Sequence, residues 1–322
     1  MNTKTMAYKK TNYIPPGQRT KFQASVYKFK DSYQLVILFL PCFIYFFMFV
    51  YAPMWGLSIA FMDYKPFLGM SGSNWVGFKH FIRFFSSTMT WTLIKNTFLL
   101  SFYSLIISFP FTIIFALIVN EIRQPRLKKG FQTITYMPHF ISVVVIVGML
   151  KQFLKIDGGL IFGVLRTFGF PRIDVFSFSK YFRILYISSG IWQGTGWAAI
   201  IYYAAFAGIS PELYESAVID GANKFRQIIY ITLPSIMPTI ITLFILNTGH
   251  LLSIGFDKAY LMQVATNISA SEVISTFVYK NGLLGAQYSY GAAVGLFNSF
   301  VNLGFVALAN YGAKKLTQTS LY

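Results

Sequence analysis

Six stretches of the chain run without a single Asp, Glu, Lys or Arg for long enough to cross a bilayer, which takes about 20 residues. They cover residues 32–62, 96–120, 130–150, 184–211, 227–256 and 281–313. The next longest, 66–78 and 259–271, hold 13 residues each and are rich in Gly, Ser, Asn or Thr, too short and too polar to span. The pattern therefore predicts spanning helices near 33–61, 96–120, 132–150, 184–208, 228–253 and 287–312. The first run far exceeds the apolar core of a signal peptide, about 7 to 15 residues. It passes through Pro41 and Pro53, so it reads as a retained helix whose prolines are tolerated as kinks.

Composition agrees with this class. Of 322 residues, 55% are hydrophobic and only 11% charged, where a soluble domain carries roughly a quarter charged. The aromatic share of 19% excludes intrinsic disorder. Cys42 is the single cysteine and has no partner for an intrachain disulfide. A net charge of +17 would suggest nucleic acid on a soluble protein, but here it reports topology and no nucleic-acid partner is implied. Of the 27 basic residues, 15 fall in 1–32, 120–133, 209–227 and 313–322, the shorter set of loops. The positive-inside rule then puts both termini in the cytoplasm. Residues 1–31 form a basic cytoplasmic arm, 32–313 the membrane domain and 314–322 a cytoplasmic tail. Loops 62–95, 151–183 and 253–287 lie outside and are long enough to carry short surface helices.

One cytoplasmic loop, 210–226, is unusual for a connector. Ser210 suits an N-cap, Pro211 the first helical position and Glu212 the positive helix end, so a short helix should run to about Ile219. Gly221 stops it, and a second helix begins near Asn223, with Pro234 and Pro238 bending the span it feeds. Glu215, Ser216, Ala217, then Gly221, Ile231, Leu233 and Pro234 resemble the EAA signature of the permease subunits of binding-protein-dependent ABC importers. Ser216 stands where that signature has a second alanine, a small-for-small change. Asp220, Gly221, Ala222 and Phe225 resemble the carbohydrate branch. Softer likenesses to oligosaccharide and complex polysaccharide permeases are Asn96-Thr97, Ala116-Leu117, Asn120-Glu121, Met137 to Ser142 and Ser275 to Tyr279.

The resemblance covers roughly 33–316. It implies an all-α, polytopic six-helix bundle of the type I ABC importer permease kind in a bacterial cell membrane. It also implies a second homologous permease, two ATP-binding subunits that hold ATP and magnesium, and an extracytoplasmic solute-binding protein. On this reading Glu215, Ser216, Ala217, Asp220, Gly221, Ala222 and Phe225 couple the chain to its ATPases, with Ala217 and Gly221 permitting close approach. An ordinary solvated connector has no reason to combine these capping signals with this spacing.

No charge lies centrally in the six runs, and only His139 and His250 there titrate near neutrality. That argues against an ion-coupled transporter. A neutral sugar path needs aromatic faces and amides or hydroxyls. The candidates are Trp192, Gln193 and Trp197 on the fourth span, Asn247 and His250 on the fifth, and Asn298 and Asn302 on the sixth. Packing is the competing role: Trp anchors helices at interfaces, and Gly291 with Gly295 is a small-xxx-small pattern. The chain shows no Walker motif, metal-ligand cluster or nucleophile-base set, so the expectation is a transport subunit, not an integral membrane enzyme. An oligosaccharide is the expected solute, with a peptide or another small polar nutrient as the alternative.

Overall fold

The computed structural model describes residues 33–169, 173–249 and 255–317. The basic arm 1–31 and His250 lie outside these residues, as do positions 318–322 of the tail. The chain divides into two units, 1–58 and 59–322. Over its described residues the first unit is part of one helix, Tyr33–Phe61. It is α-helical over Tyr33–Phe46, π over Phe47–Tyr51 and 3-10 over Trp55–Phe61. Pro41 and Pro53 each remove an N–H from its ladder, and the wider π turn lies just ahead of Pro53. None of Tyr33–Phe46 is buried, and its apolar surface suits hydrocarbon.

Among the described residues of the second unit, three helices are long and apolar enough to cross a membrane: Thr88–Asn120, Lys224–Thr248 and Tyr288–Gly312. Ser179–Ala207, 29 residues long, has the length but more polar residues. It packs along Thr88–Asn120, where Ala116, Ala199, Tyr202, Phe206 and Ile236 share a buried cluster. Its Gly196 touches the backbone of Thr135: a Cβ there would lie 2.1 Å from the Thr135 carbonyl oxygen.

Three departures from the sequence pattern have physical causes. Where the pattern predicts one span over 132–150, the chain forms Pro125–Phe140 and Val143–Phe153, bent by 99°. Pro138 cannot donate to the helical ladder, and Ser142, in extended conformation, restarts the helix by accepting from Val145 N at 3.4 Å. The helices predicted from 96 and 184 begin at Thr88 and Ser179, because Lys95, Lys180 and Arg183 end a charge-free run without ending a helix. Finally, an antiparallel hairpin of β1 (Met62–Lys65) and β2 (Gly69–Trp75) follows the first helix. Lys79 donates to Asp63 at 2.6 Å and the Tyr64 N–H donates to Ser289 Oγ at 2.9 Å, anchoring it. The Lys79 hydrogen bond holds the Asp63 carboxyl below the usual carboxylate range.

The segment 256–284 folds as short helices, Phe256–Met262, Ile268–Ser271 and Ile274–Phe277, running into a π turn at Val278–Leu284. Asn96 Nδ2 donates to the carbonyls of Ser269 (2.9 Å) and Glu272 (3.1 Å), and its Oδ1 accepts from Arg183 at 3.0 Å. Thr97 Oγ1 accepts from Ile274 N at 2.9 Å. Buried Glu272 pairs with Lys280 at 2.9 Å, and Asn267 ties Phe176 O to Met262 O. Gly282 and Gly291 meet backbone to backbone. This polar lattice makes the segment a lid fixed to the ends of the second and fourth spans.

Candidate functional site: a loop helix and a hydroxyl-lined cavity

The loop 210–226 holds the helix Pro211–Ile219. Ser210 has the extended backbone of a cap, but its hydroxyl makes no capping bond; Pro211 already presets the first helical residue. Gly221 adopts φ +75°, the left-handed region that a β-branched residue enters only under strain. This turn brings Ala222 N to Ala217 O at 2.8 Å, closing the helix. Asn223 Oδ1 then accepts from Arg226 N at 2.9 Å and opens the next helix. Tyr214 OH and Thr232 Oγ1 lie 2.9 Å apart, and Gln227 donates to Ala222 O at 3.1 Å, so two side-chain contacts hold the loop against its own span. Lys224 reaches Glu121 at 3.4 Å.

What the loop leaves open is as telling. Glu215, Ser216, Asp220, Gly221 and Phe225 are exposed, and Ala217 and Ala222 half-buried. Ile219 is 86% and Phe225 70% exposed, an apolar pair beside two carboxylates. Such a surface suits an apolar groove edged by basic groups.

A cavity of about 560 Å³ opens between the second, fourth and fifth spans. Ser101, Ser104, Ser108 and Thr112 line it from the second span, at spacings that put all four on one helix face. Gly190, Gly194, Thr195 and Trp197 line it from the fourth and Asn247 from the fifth. The hydroxyls of Ser101 and Thr195 are buried and have no protein partner among the described residues. Buried polar groups without a partner are costly, so this wall is built for water or a polar solute. Trp197 stacks on His139, with ring centroids 4.6 Å apart and planes within 1°, and Phe140 meets it edge-on. The broken third span thus sets the tryptophan at the cavity.

Of the seven path residues inferred from sequence, Trp197 and Asn247 line this cavity. Trp192 lines a separate apolar one of about 370 Å³ with Ile146, Met149 and Phe153. Gln193 donates to Ile141 O at 3.1 Å, bracing the break. Asn298 and Asn302 sit half-buried on the last helix and line neither cavity. His250 lies outside the described residues. The sequence pattern pointed to aromatics, amides and hydroxyls on the fourth to sixth spans and passed over the Ser/Thr stripe of the second span, whose spacing of three and four was its visible signal. It also passed over Lys258, which long-range folding alone brings against Tyr186 and Gly190 of the cavity lining. Among the described residues no His, Cys, Asp and Glu cluster is arranged to hold a metal.

Comparison with known proteins decides the family. The model of the binding-protein-dependent transport system inner membrane component matches residues 94–316. The chain belongs to this family. It is 46% identical, over 89% of its length and 90% of the relative's, to the polygalacturonan/rhamnogalacturonan transport system permease protein YteP of Bacillus subtilis (strain 168). It is 41% identical to Protein LplB of the same organism, over 89% of this chain and 91% of that one. Among solved structures it resembles a chain of a bacterial ABC transporter involved in import of the acidic polysaccharide alginate. There the TM-score is 0.84 and the identity 39%, over 91% of this chain and 99% of the other. A second structure of the alginate transporter, in complex with an alginate pentasaccharide-bound periplasmic protein, matches equally well over 98% of its chain. The chain is thus a mostly helical membrane permease of the ABC importer kind, a transport subunit.

Proposed function

We propose that this chain is one membrane-spanning half of an ATP-driven importer that takes up an oligosaccharide. The observation that carries this reading is the 46% identity, over 89% of the chain, to a permease named for polygalacturonan and rhamnogalacturonan. The cavity supports it: aligned hydroxyls, an amide and a tryptophan face match the OH groups and C–H faces of a sugar ring. A solute-binding protein delivers the sugar from outside, and a second permease completes the path. Two ATPase subunits, which hold ATP and magnesium, grip the loop 210–226 through Glu215, Ser216, Ala217, Asp220, Gly221, Ala222 and Phe225. The loop and both termini then lie in the cytoplasm of the bacterial cell.

The test is the complete complex in proteoliposomes, supplied with its binding protein. Uptake of radiolabelled oligogalacturonides or other oligosaccharides, with binding-protein-stimulated ATP hydrolysis, is the expected result. Stimulation by peptide-loaded binding protein alone would overturn the solute class. A reporter placing residue 215 outside the cell would overturn the topology and the coupling role together.

A further inference from the structure

Lys258 belongs to the loop helix Phe256–Met262 that follows the fifth span. Its side chain is nearly buried, with 8% of the residue exposed. The ammonium donates to the Tyr186 carbonyl at 2.9 Å and lies 4.7 Å from the centre of the Tyr186 ring. An ammonium has three donors, and among the described residues no carboxylate lies within 4 Å of it. Burial pulls its pKa down to about 8, so the charge is held at neutral pH with little in the protein to balance it. A buried cation with no counter-ion is costly, and proteins pair such charges or use them.

Three cavity-lining residues connect this charge to the cavity. Tyr186 carries its carbonyl acceptor and its ring, and Gly255 lies three residues before it in the chain. Gly190 is the third: a Cβ built there would sit 3.3 Å from Lys258 Nζ. With hydrogen in that place, nothing from Gly190 screens the ammonium from the cavity. Among the described residues the lining itself is neutral, with no Asp, Glu, Lys or Arg, so the one positive charge beside it is the Lys258 ammonium behind Gly190.

We propose that Lys258 is the specificity residue of the path, giving a carboxylate-bearing oligosaccharide an ammonium contact as it passes the Gly190 gap. This rests on the oligosaccharide reading above and deepens it, assigning a uronate-type sugar over a neutral one. Transient contact of this kind suits conduction. The carboxylate gains a charge-assisted hydrogen bond in a low-dielectric wall, while one point charge is weak enough to release it. The neutral cavity fits sugar hydroxyls of either class, so discrimination falls on this one group.

The experiment uses the full complex in proteoliposomes and compares uptake of short oligogalacturonides with that of their carboxyl-reduced counterparts of equal length. The ratio of acidic to neutral uptake is expected to fall about tenfold in Lys258→Met, the loss of one charge-assisted bond. It should stay within about twofold of the parent in Lys258→Arg, which keeps the charge. Gly190→Val, which interposes a side chain while keeping the lysine, should lower the ratio likewise, and it carries the test if Lys258→Met fails to assemble. An unchanged ratio in Lys258→Met or, failing that variant, in Gly190→Val overturns the proposal, as does a parent complex that imports only the neutral sugars. A parent complex that imports neither class refutes the oligosaccharide reading itself.

Discussion

The loop helix Pro211–Ile219 and the segment 256–284 are both short helices between spans, yet they are held in opposite ways. The loop closes on itself: Pro211 starts the helix, Gly221 ends it, Asn223 opens the next one, and Tyr214 meets Thr232 of its own span. Its apolar side chains Ile219 and Phe225 stay in the open. The segment 256–284 depends on distant residues: Asn96, Thr97, Phe176 and Ser179 supply its polar partners, and Met262 and Val273 are buried with Leu100 and Phe182. A locally closed, outwardly apolar loop fits the coupling role proposed above. A segment bonded at several turns to distant parts of the same chain is made to stay still.

That difference predicts where substitutions cost stability and where they cost coupling. The largest loss is expected from Gly196→Val, whose Cβ would lie 2.1 Å from the Thr135 carbonyl oxygen. Backbone cannot yield as a side-chain tip does, so thermal unfolding in detergent should show about 3 kcal/mol of destabilisation. Glu272→Ala leaves Lys280 without its partner at 2.9 Å. About 2 kcal/mol should be lost, less than for a fully buried pair because Lys280 is about one-third exposed. Loss of under about 0.5 kcal/mol would break the view of this segment as a rigid lid.

In the loop the sign of the contrast reverses. At Gly221 no atom obstructs an added Cβ, so Gly221→Val strains only the φ +75° turn, by about 1–2 kcal/mol. Binding-protein-stimulated ATP hydrolysis should nonetheless fall about tenfold, as the helix end no longer presents its surface. Equal stimulation in Gly221→Val and the parent would remove the loop as the coupling element. The smallest effects belong to the path. Trp197→Ala should lower uptake about fivefold by removing a stacking face, whereas Asn302→Ala, away from the cavity, should change it by under about twofold. Similar losses in both would deny the cavity its role.

Some of these contrasts were legible in the chain. The local fold of the loop 210–226 was, because its helix-start residues, stop glycine and family spacing all sit within about 25 consecutive positions. Asn96-Thr97, Met137 to Ser142 and Ser275 to Tyr279 stood out as family-like without an evident task. The structure supplies one: the first pair and Thr276 hold the segment 256–284, and Pro138 with Ser142 breaks the third span. The break escaped the reading because a charge-free run records what lipid tolerates, and a proline inside it is equally compatible with a kinked continuous helix.

By itself the sequence determined the membrane class, the order of the apolar helices and the surface of the 210–226 loop. Those properties depend on local periodicity, on the cost of charge in hydrocarbon and on caps a few residues apart. Tertiary structure alone decided which polar residues face a common space. Ser101 to Thr112, Thr195, Trp197 and Asn247 come from separate elements, and many other hydroxyls and amides in the chain have the same local pattern. Helix packing at Gly196 and the lattice around Asn96 fix their relative placement, and such long-range contacts leave no periodic trace in the chain.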